Sequence, residues 1–148
     1  MPASTARTGL SVMSHSAQDF SFELFPPRTP EGVARLPQVV AELATVQPSY
    51  FSVTFGAGGS DQSGPYDTVM HVLERTGCEV APHLTCIGAS HTGIRALLQR
   101  YHEAGVRRLV ALRGDLPATA ATADAPGEFH FATDLVRFIR QEHGSHFR

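Results

Sequence analysis

Four short apolar runs recur along this chain at intervals of roughly 30 residues, each followed by a polar residue. Phe20-Ser21-Phe22 leads to Glu23, Tyr50-Phe51-Ser52-Val53 to Thr54, Val80-Ala81-Pro82 to His83, and Leu109-Val110-Ala111-Leu112 to Asp115. This is the period of a repeated strand-loop-helix unit. Such a repeat predicts α/β architecture with a parallel sheet, of the (β/α)8 TIM-barrel kind. In that fold, polar residues at the C-terminal ends of strands converge on one face. The candidate site is therefore spread over four successive units.

The segments between the runs read as helices. Thr29-Pro30-Glu31 combines a cap, a first-position proline and an early acid. Val33, Leu36, Val40 and Leu43 then follow helical spacing, while Pro37 predicts a kink or a late start. Tyr66, Val69, Met70 and Leu73 mark a second helix stopped by Gly77. Ser90 caps a third, with Ile94, Leu97, Leu98 and Tyr101 inward and Gly105 as its end. Thr133 or a neighbour opens a fourth, with Leu135, Val136 and Ile139 inward and Gly144 as its stop. The strands are expected at Phe20 to Phe25, Tyr50 to Thr54, Glu79 to Leu84 and Arg108 to Leu112. The last of these reads as a buried parallel strand. The loop from Pro117 to Gly127 is rich in Ala and Thr and reads as mobile.

At 148 residues the chain has room for about four such units, whereas a closed barrel needs eight and typically ~250 residues. Strands one and four would then both be open edges, which favour pairing with another chain. Residues 1–18 are rich in Ser, Ala and Thr and read as a disordered tail, and Met13 is a second candidate start. Residues 19–148 form the expected half-barrel.

A net charge of -2 gives no basic footprint for nucleic acid, and no apolar stretch approaches the ~20 residues that span a membrane. Cys78 and Cys86 make no C-x-x-C pair or zinc spacing and read as half-buried thiols of a reduced, cytoplasmic protein. Eight histidines include no H-E-x-x-H, so no metal site is expected. His15, His143 and His146 read as solvated tail or loop residues.

Several polar residues could carry chemistry. Glu23 stands between phenylalanines, and a carboxyl in an apolar setting keeps its proton, as a general acid must. An ion pair with Arg28 is the plainer reading. The loop Thr54-Phe55-Gly56-Ala57-Gly58-Gly59-Ser60 lets backbone approach a ligand, or is only a flexible turn. It is neither a Walker loop nor a G-x-G-x-x-G motif. His83 is a site residue or a structural one. In Arg113-Gly114-Asp115, arginine suits an anion such as a diphosphate, and aspartate suits a developing cation. An adhesion reading of that tripeptide fits poorly without a secretion signal.

Taken together, Phe22-Glu23-Leu24-Phe25-Pro26-Pro27-Arg28-Thr29, Val53-Thr54-Phe55-Gly56-Ala57-Gly58-Gly59-Ser60, Ala81-Pro82-His83-Leu84-Thr85-Cys86 and Ala111-Leu112-Arg113-Gly114-Asp115-Leu116-Pro117 resemble the methylenetetrahydrofolate reductase family. The likeness runs from about Phe20 to Phe138. It implies a barrel carrying FAD that reduces 5,10-methylenetetrahydrofolate to 5-methyltetrahydrofolate with NADH or NADPH, in one-carbon and methionine metabolism. By the same resemblance Glu23 is the general acid and Asp115 the carboxylate near flavin and pterin. Thr54 falls at a nicotinamide contact. Phe55, Ala57, His83, Leu112, Arg113, Gly114, Phe131 and Ala132 fall at flavin contacts.

Two features depart from that pattern. Asp61-Gln62-Ser63-Gly64-Pro65 replaces a basic, acidic, basic run, and the chain ends at Arg148, ahead of the family's fifth strand. The expectation is an N-terminal half with little or no activity alone. Two other readings stand beside it. One is a half-barrel assembly module completed by a second copy or by a separate C-terminal half. The other is a flavin barrel with another substrate, because this fold hosts many chemistries.

Overall fold

The computed structural model describes residues 19–55, 63–115 and 127–148. Strands and helices alternate: β1 (Ser21–Leu24), α1 (Pro30–Ala44), β2 (Tyr50–Val53), α2 (Ser63–Thr76), β3 (Val80–Thr85), α3 (His91–Glu103), β4 (Val110–Leu112) and α4 (Ala132–His143). The strands form one sheet in the order β1-β2-β3-β4, every neighbouring pair parallel. Four parallel βα units in sequence order make a partial TIM barrel, as the repeat predicted. The expected tail, the glycine-rich stretch from Gly56 to Ser60 and most of the Pro117 to Gly127 loop lie outside the described residues.

Local chemistry sets the helix ends. Thr29 Oγ1 accepts the Gly32 N–H at 3.1 Å, and Pro30 occupies the first turn, where its missing N–H costs nothing. Ser90 Oγ accepts the Gly93 N–H at 3.1 Å in the same way. Gly77 and Gly105 follow their helices at positive φ, at 65° and 81°. In α4 the Asp134 carboxylate reaches back to the N–H groups of Phe131 and His130, at 2.9 and 3.2 Å.

The core lies between the sheet and the helices. Leu24, Phe51, Val53, Val80 and Leu84 from the strands meet Val40, Val69, Val72, Ile94, Leu97, Leu98, Tyr101 and Leu135 from the helices. Burying each such aliphatic side chain is worth about 1.5–3 kcal/mol. All four α3 residues expected inward are buried.

Four details differ from the sequence reading. Helix α1 starts at Pro30 and runs through Pro37, so no late start occurs, and Val33 points outward, 57% exposed. In α4, Phe138 is buried and Val136 is exposed, because Leu135, Phe138 and Ile139 sit three and four residues apart on one stripe. Strand β4 is short and only partly buried, since it lies at the end of the row of four. His143 and His146 are not solvated loop residues: both rings pack against Phe147.

After α4 the chain folds back beside β4. The Arg148 N–H donates to the Arg107 carbonyl at 2.8 Å, and the Arg148 carbonyl accepts the Leu109 N–H at 3.0 Å. This is the exchange of a parallel ladder, so Arg148 covers the entrance to β4. Its guanidinium also pairs with Glu79, which Arg108 engages at 2.9 Å. Arg108 in turn lies 4.4 Å over the Tyr50 ring. The bond from Arg148, with help from Arg108, holds the Glu79 carboxyl below its ordinary range.

Candidate functional site

Strand register builds the face opposite the core. Glu23 pairs with Ser52 and Ser52 with Ala81, so these side chains share one side of the sheet. His83, two residues after Ala81, returns to that side, as does its partner Val110. Phe22 and Leu24, next to Glu23 in sequence, point the other way and join the helix-facing core.

That alternation decides the setting of Glu23. The apolar enclosure expected from its neighbours is not formed, because those neighbours occupy the opposite face. The Glu23 side chain is 50% exposed. Its partner is not Arg28 but His83: Glu23 Oε2 lies 3.4 Å from His83 Nε2. The two side chains reach each other across β2, where the residue in their row is the small Ser52. The His83 side chain is only 12% exposed. Burial pushes its pKa below the ordinary histidine value, and the Glu23 charge opposes that shift. Ser52 was not singled out from the sequence. Its signal was a lone small polar residue inside an aromatic and aliphatic run.

The other predicted residues stand at or beyond the strand ends. The Thr54 N–H donates to the Leu24 carbonyl at 3.0 Å and continues the β1–β2 ladder. Phe55 is partly buried against the core. Ala57 lies outside the described residues. Leu112, Arg113 and Asp115 are exposed. Among the described residues, no hydrogen bond or ion pair joins Asp115 to Glu23 or His83.

The loops at this end are fastened to one another. Cys86 and Ile87 N–H groups donate to the Leu112 and Arg113 carbonyls at 3.1 and 2.8 Å. Gly114 packs beneath them at φ 84°, where a Cβ would stand 2.8 Å from Ile87 Cγ2 and 3.2 Å from Thr85 Cβ. Cys86 is fully buried, which pushes its thiol pKa up, whereas Cys78 is half-buried as expected. The Glu128 N–H donates to the Ala89 carbonyl, and the Glu128 carboxylate accepts the His91 N–H at the start of α3. This brings Phe131, 62% exposed, and Ala132 to the same end of the molecule.

A parallel sheet in sequence order, with a core on one face and polar side chains at the strand ends of the other, defines part of a (β/α)8 barrel. The family profile for methylenetetrahydrofolate reductase matches residues 10–148. The chain therefore belongs to the methylenetetrahydrofolate reductase family. The 5,10-methylenetetrahydrofolate reductase of Pectobacterium carotovorum subsp. carotovorum is 40% identical over 121 residues, covering 82% of this chain and 39% of the relative. That of Escherichia coli (strain K12) is 37% identical over the same shares. Methylenetetrahydrofolate reductase (NADH) 1 of Arabidopsis thaliana is 33% identical over 138 residues, 93% of this chain and 23% of the relative. The chain thus spans about two fifths of the length of its bacterial relatives.

Among the described residues, no helix is long and apolar enough to cross a membrane.

Proposed function

We propose that this chain supplies the proton-donating side and part of the flavin site of a cytoplasmic reductase that converts 5,10-methylenetetrahydrofolate to 5-methyltetrahydrofolate. The observation that carries the reading is the approach of Glu23 to His83 on the open strand face, within a chain of this family. Opening the five-membered ring of the folate needs a proton at the leaving nitrogen. Glu23 is solvent-accessible and able to take up and deliver it. His83 stays neutral more readily than an ordinary histidine, so it orients the Glu23 carboxyl without adding a fixed charge. Asp115 stabilises the cationic iminium of the opened folate, as a fixed carboxylate does for developing positive charge.

The residues present suit a flavin dinucleotide. Arg113 offers an exposed guanidinium for a diphosphate. Leu112 and Phe131 offer exposed apolar surface for flat rings. Thr54, Phe55, His83, Gly114 and Ala132 complete the proposed contacts, with Ala57 beyond the described residues. When bound, FAD would carry hydride from NADH or NADPH to the folate carbon.

The test is the visible absorption spectrum of the purified chain after loading with FAD and removing the unbound excess. Retained flavin supports the reading, and a colourless protein refutes flavin binding by this chain alone. A second reading, an assembly module, is favoured by one observation. Beyond the Arg148 contact at its entrance, β4 is the outer strand of the row, so Val110–Leu112 present an edge to a further parallel neighbour. A second copy or a complementing C-terminal half would fill it. Sedimentation as a compact monomer at all concentrations would count against self-assembly.

A further inference from the structure

The mechanism above uses one of the eight histidines. Three others gather at the opposite end of the βα units, where α3 and α4 finish. His102 lies in the last turn of α3, and His143 is the last residue of α4. Their Nδ1 atoms face each other at 3.1 Å. The His146 ring stacks on His102 at a centroid distance of 3.6 Å. Both nitrogens of His146 are engaged elsewhere, Nδ1 with Arg107 at 2.9 Å and Nε2 with the Val106 carbonyl at 3.0 Å. His146 therefore holds the His102 ring in place without competing for the facing pair.

We infer that His102 and His143 form a two-histidine site for a divalent cation of the zinc, nickel or copper class, clipping α3 to α4. Imidazole nitrogens suit these metals. With metal–nitrogen bonds of about 2.05 Å, a 3.1 Å separation subtends about 98° at the ion, between square-planar and tetrahedral angles. The site stands where two helix C-termini converge, and their partial negative charges favour a cation. Of the neighbouring acids, Glu142 is committed to Arg95 by two hydrogen bonds and Glu103 accepts from Gln99. The nearby Arg140 binds the Gly144 and Phe147 carbonyls. Among the described residues no group of three or more His, Cys, Asp or Glu could hold a metal ion. The protein thus offers two ligands, and solvent would have to complete the coordination of a bound ion.

The competing arrangement is an N–H···N hydrogen bond between two neutral rings, and calorimetry decides between them. Zinc chloride is titrated into the tag-free, chelator-treated chain at pH 7.5 and 5.5. The expected result is saturable one-to-one binding that weakens at pH 5.5, because metal must displace protons from the imidazoles. H102N and H143N should each lower the affinity about tenfold or more, since even outer-shell partners cost 10–100-fold. H146N should cost less than either. If the variants fold poorly, Cu2+ bound to the unmodified chain should show coupling to two nitrogens by electron paramagnetic resonance. Absence of saturable binding, or unchanged affinity in the H102N/H143N double variant, overturns the site.

Discussion

Gly114 tests how the strand-end loops are built. Its φ is 84°, and an added Cβ would stand 2.8 Å from Ile87 Cγ2 and 3.2 Å from Thr85 Cβ. Gly114→Ala should therefore incur two separate costs. The left-handed backbone contributes about 1–2 kcal/mol for a residue with a Cβ. The forced displacement of Ile87 contributes about 1–3 kcal/mol more. A total near 3 kcal/mol, at a urea dependence of about 1.5 kcal/mol per molar, lowers the unfolding midpoint by about 2 M. The Ile87→Ala background separates the costs, because it removes Cγ2 and leaves the backbone term. G114A should then be milder in that background by about 1 kcal/mol, read as a coupling energy from four urea curves. A loss under 0.5 kcal/mol for G114A would refute the backbone argument, and strict additivity would refute the packing argument.

Four further outcomes are expected. Glu23→Gln should spare flavin retention while abolishing folate reduction in any preparation that turns over; normal turnover would remove Glu23 from proton delivery. Asp115→Asn should slow folate reduction more than flavin reduction, and equal effects in stopped-flow half-reactions would contradict cation stabilisation. Stability should fall as pH drops below about 6.5, because His83, His143 and His146 have depressed folded pKa values. The unfolded chain then binds more protons, so the free energy of unfolding falls with falling pH; flat urea midpoints between pH 7 and 5.5 would exclude this. Glu79→Gln should lower the melting temperature by weakening the Arg108 and Arg148 pairs together, and the difference from the unmodified chain should shrink as salt is added; a salt-independent difference would exclude an ionic origin.

The repeat of apolar runs was enough to read the order of elements and the parallel sheet, because a strand signal recurred at every unit and each helix carried a cap or a stop. Thr29, Ser90, Gly77 and Gly105 each do what their residue types suggest. The setting of Glu23 was not legible. Sequence neighbours in a strand are not spatial neighbours, so the flanking phenylalanines said little about the carboxyl's surroundings. The pairing with His83 depends on register across β2, which two apolar runs do not specify. Val136 was misplaced because its position beside Leu135 on an amphipathic helix lies at the border of the buried stripe. The histidine cluster joins residues 41 apart through the packing of two helix ends, and no local pattern announces that.

The ionic cluster on Glu79 lies just before β3, and His83 is the fourth residue of that strand. Four backbone steps separate them, roughly 13 Å. That exceeds the Debye length of about 8 Å at physiological salt. Solvent screening therefore weakens the coupling between the charges that bind the strands together and the half-exposed Glu23 side chain. Changes at Glu79, Arg108 or Arg148 can alter how firmly the sheet holds while leaving the Glu23–His83 contact in place. A chain built this way can drift in robustness without drifting in chemistry.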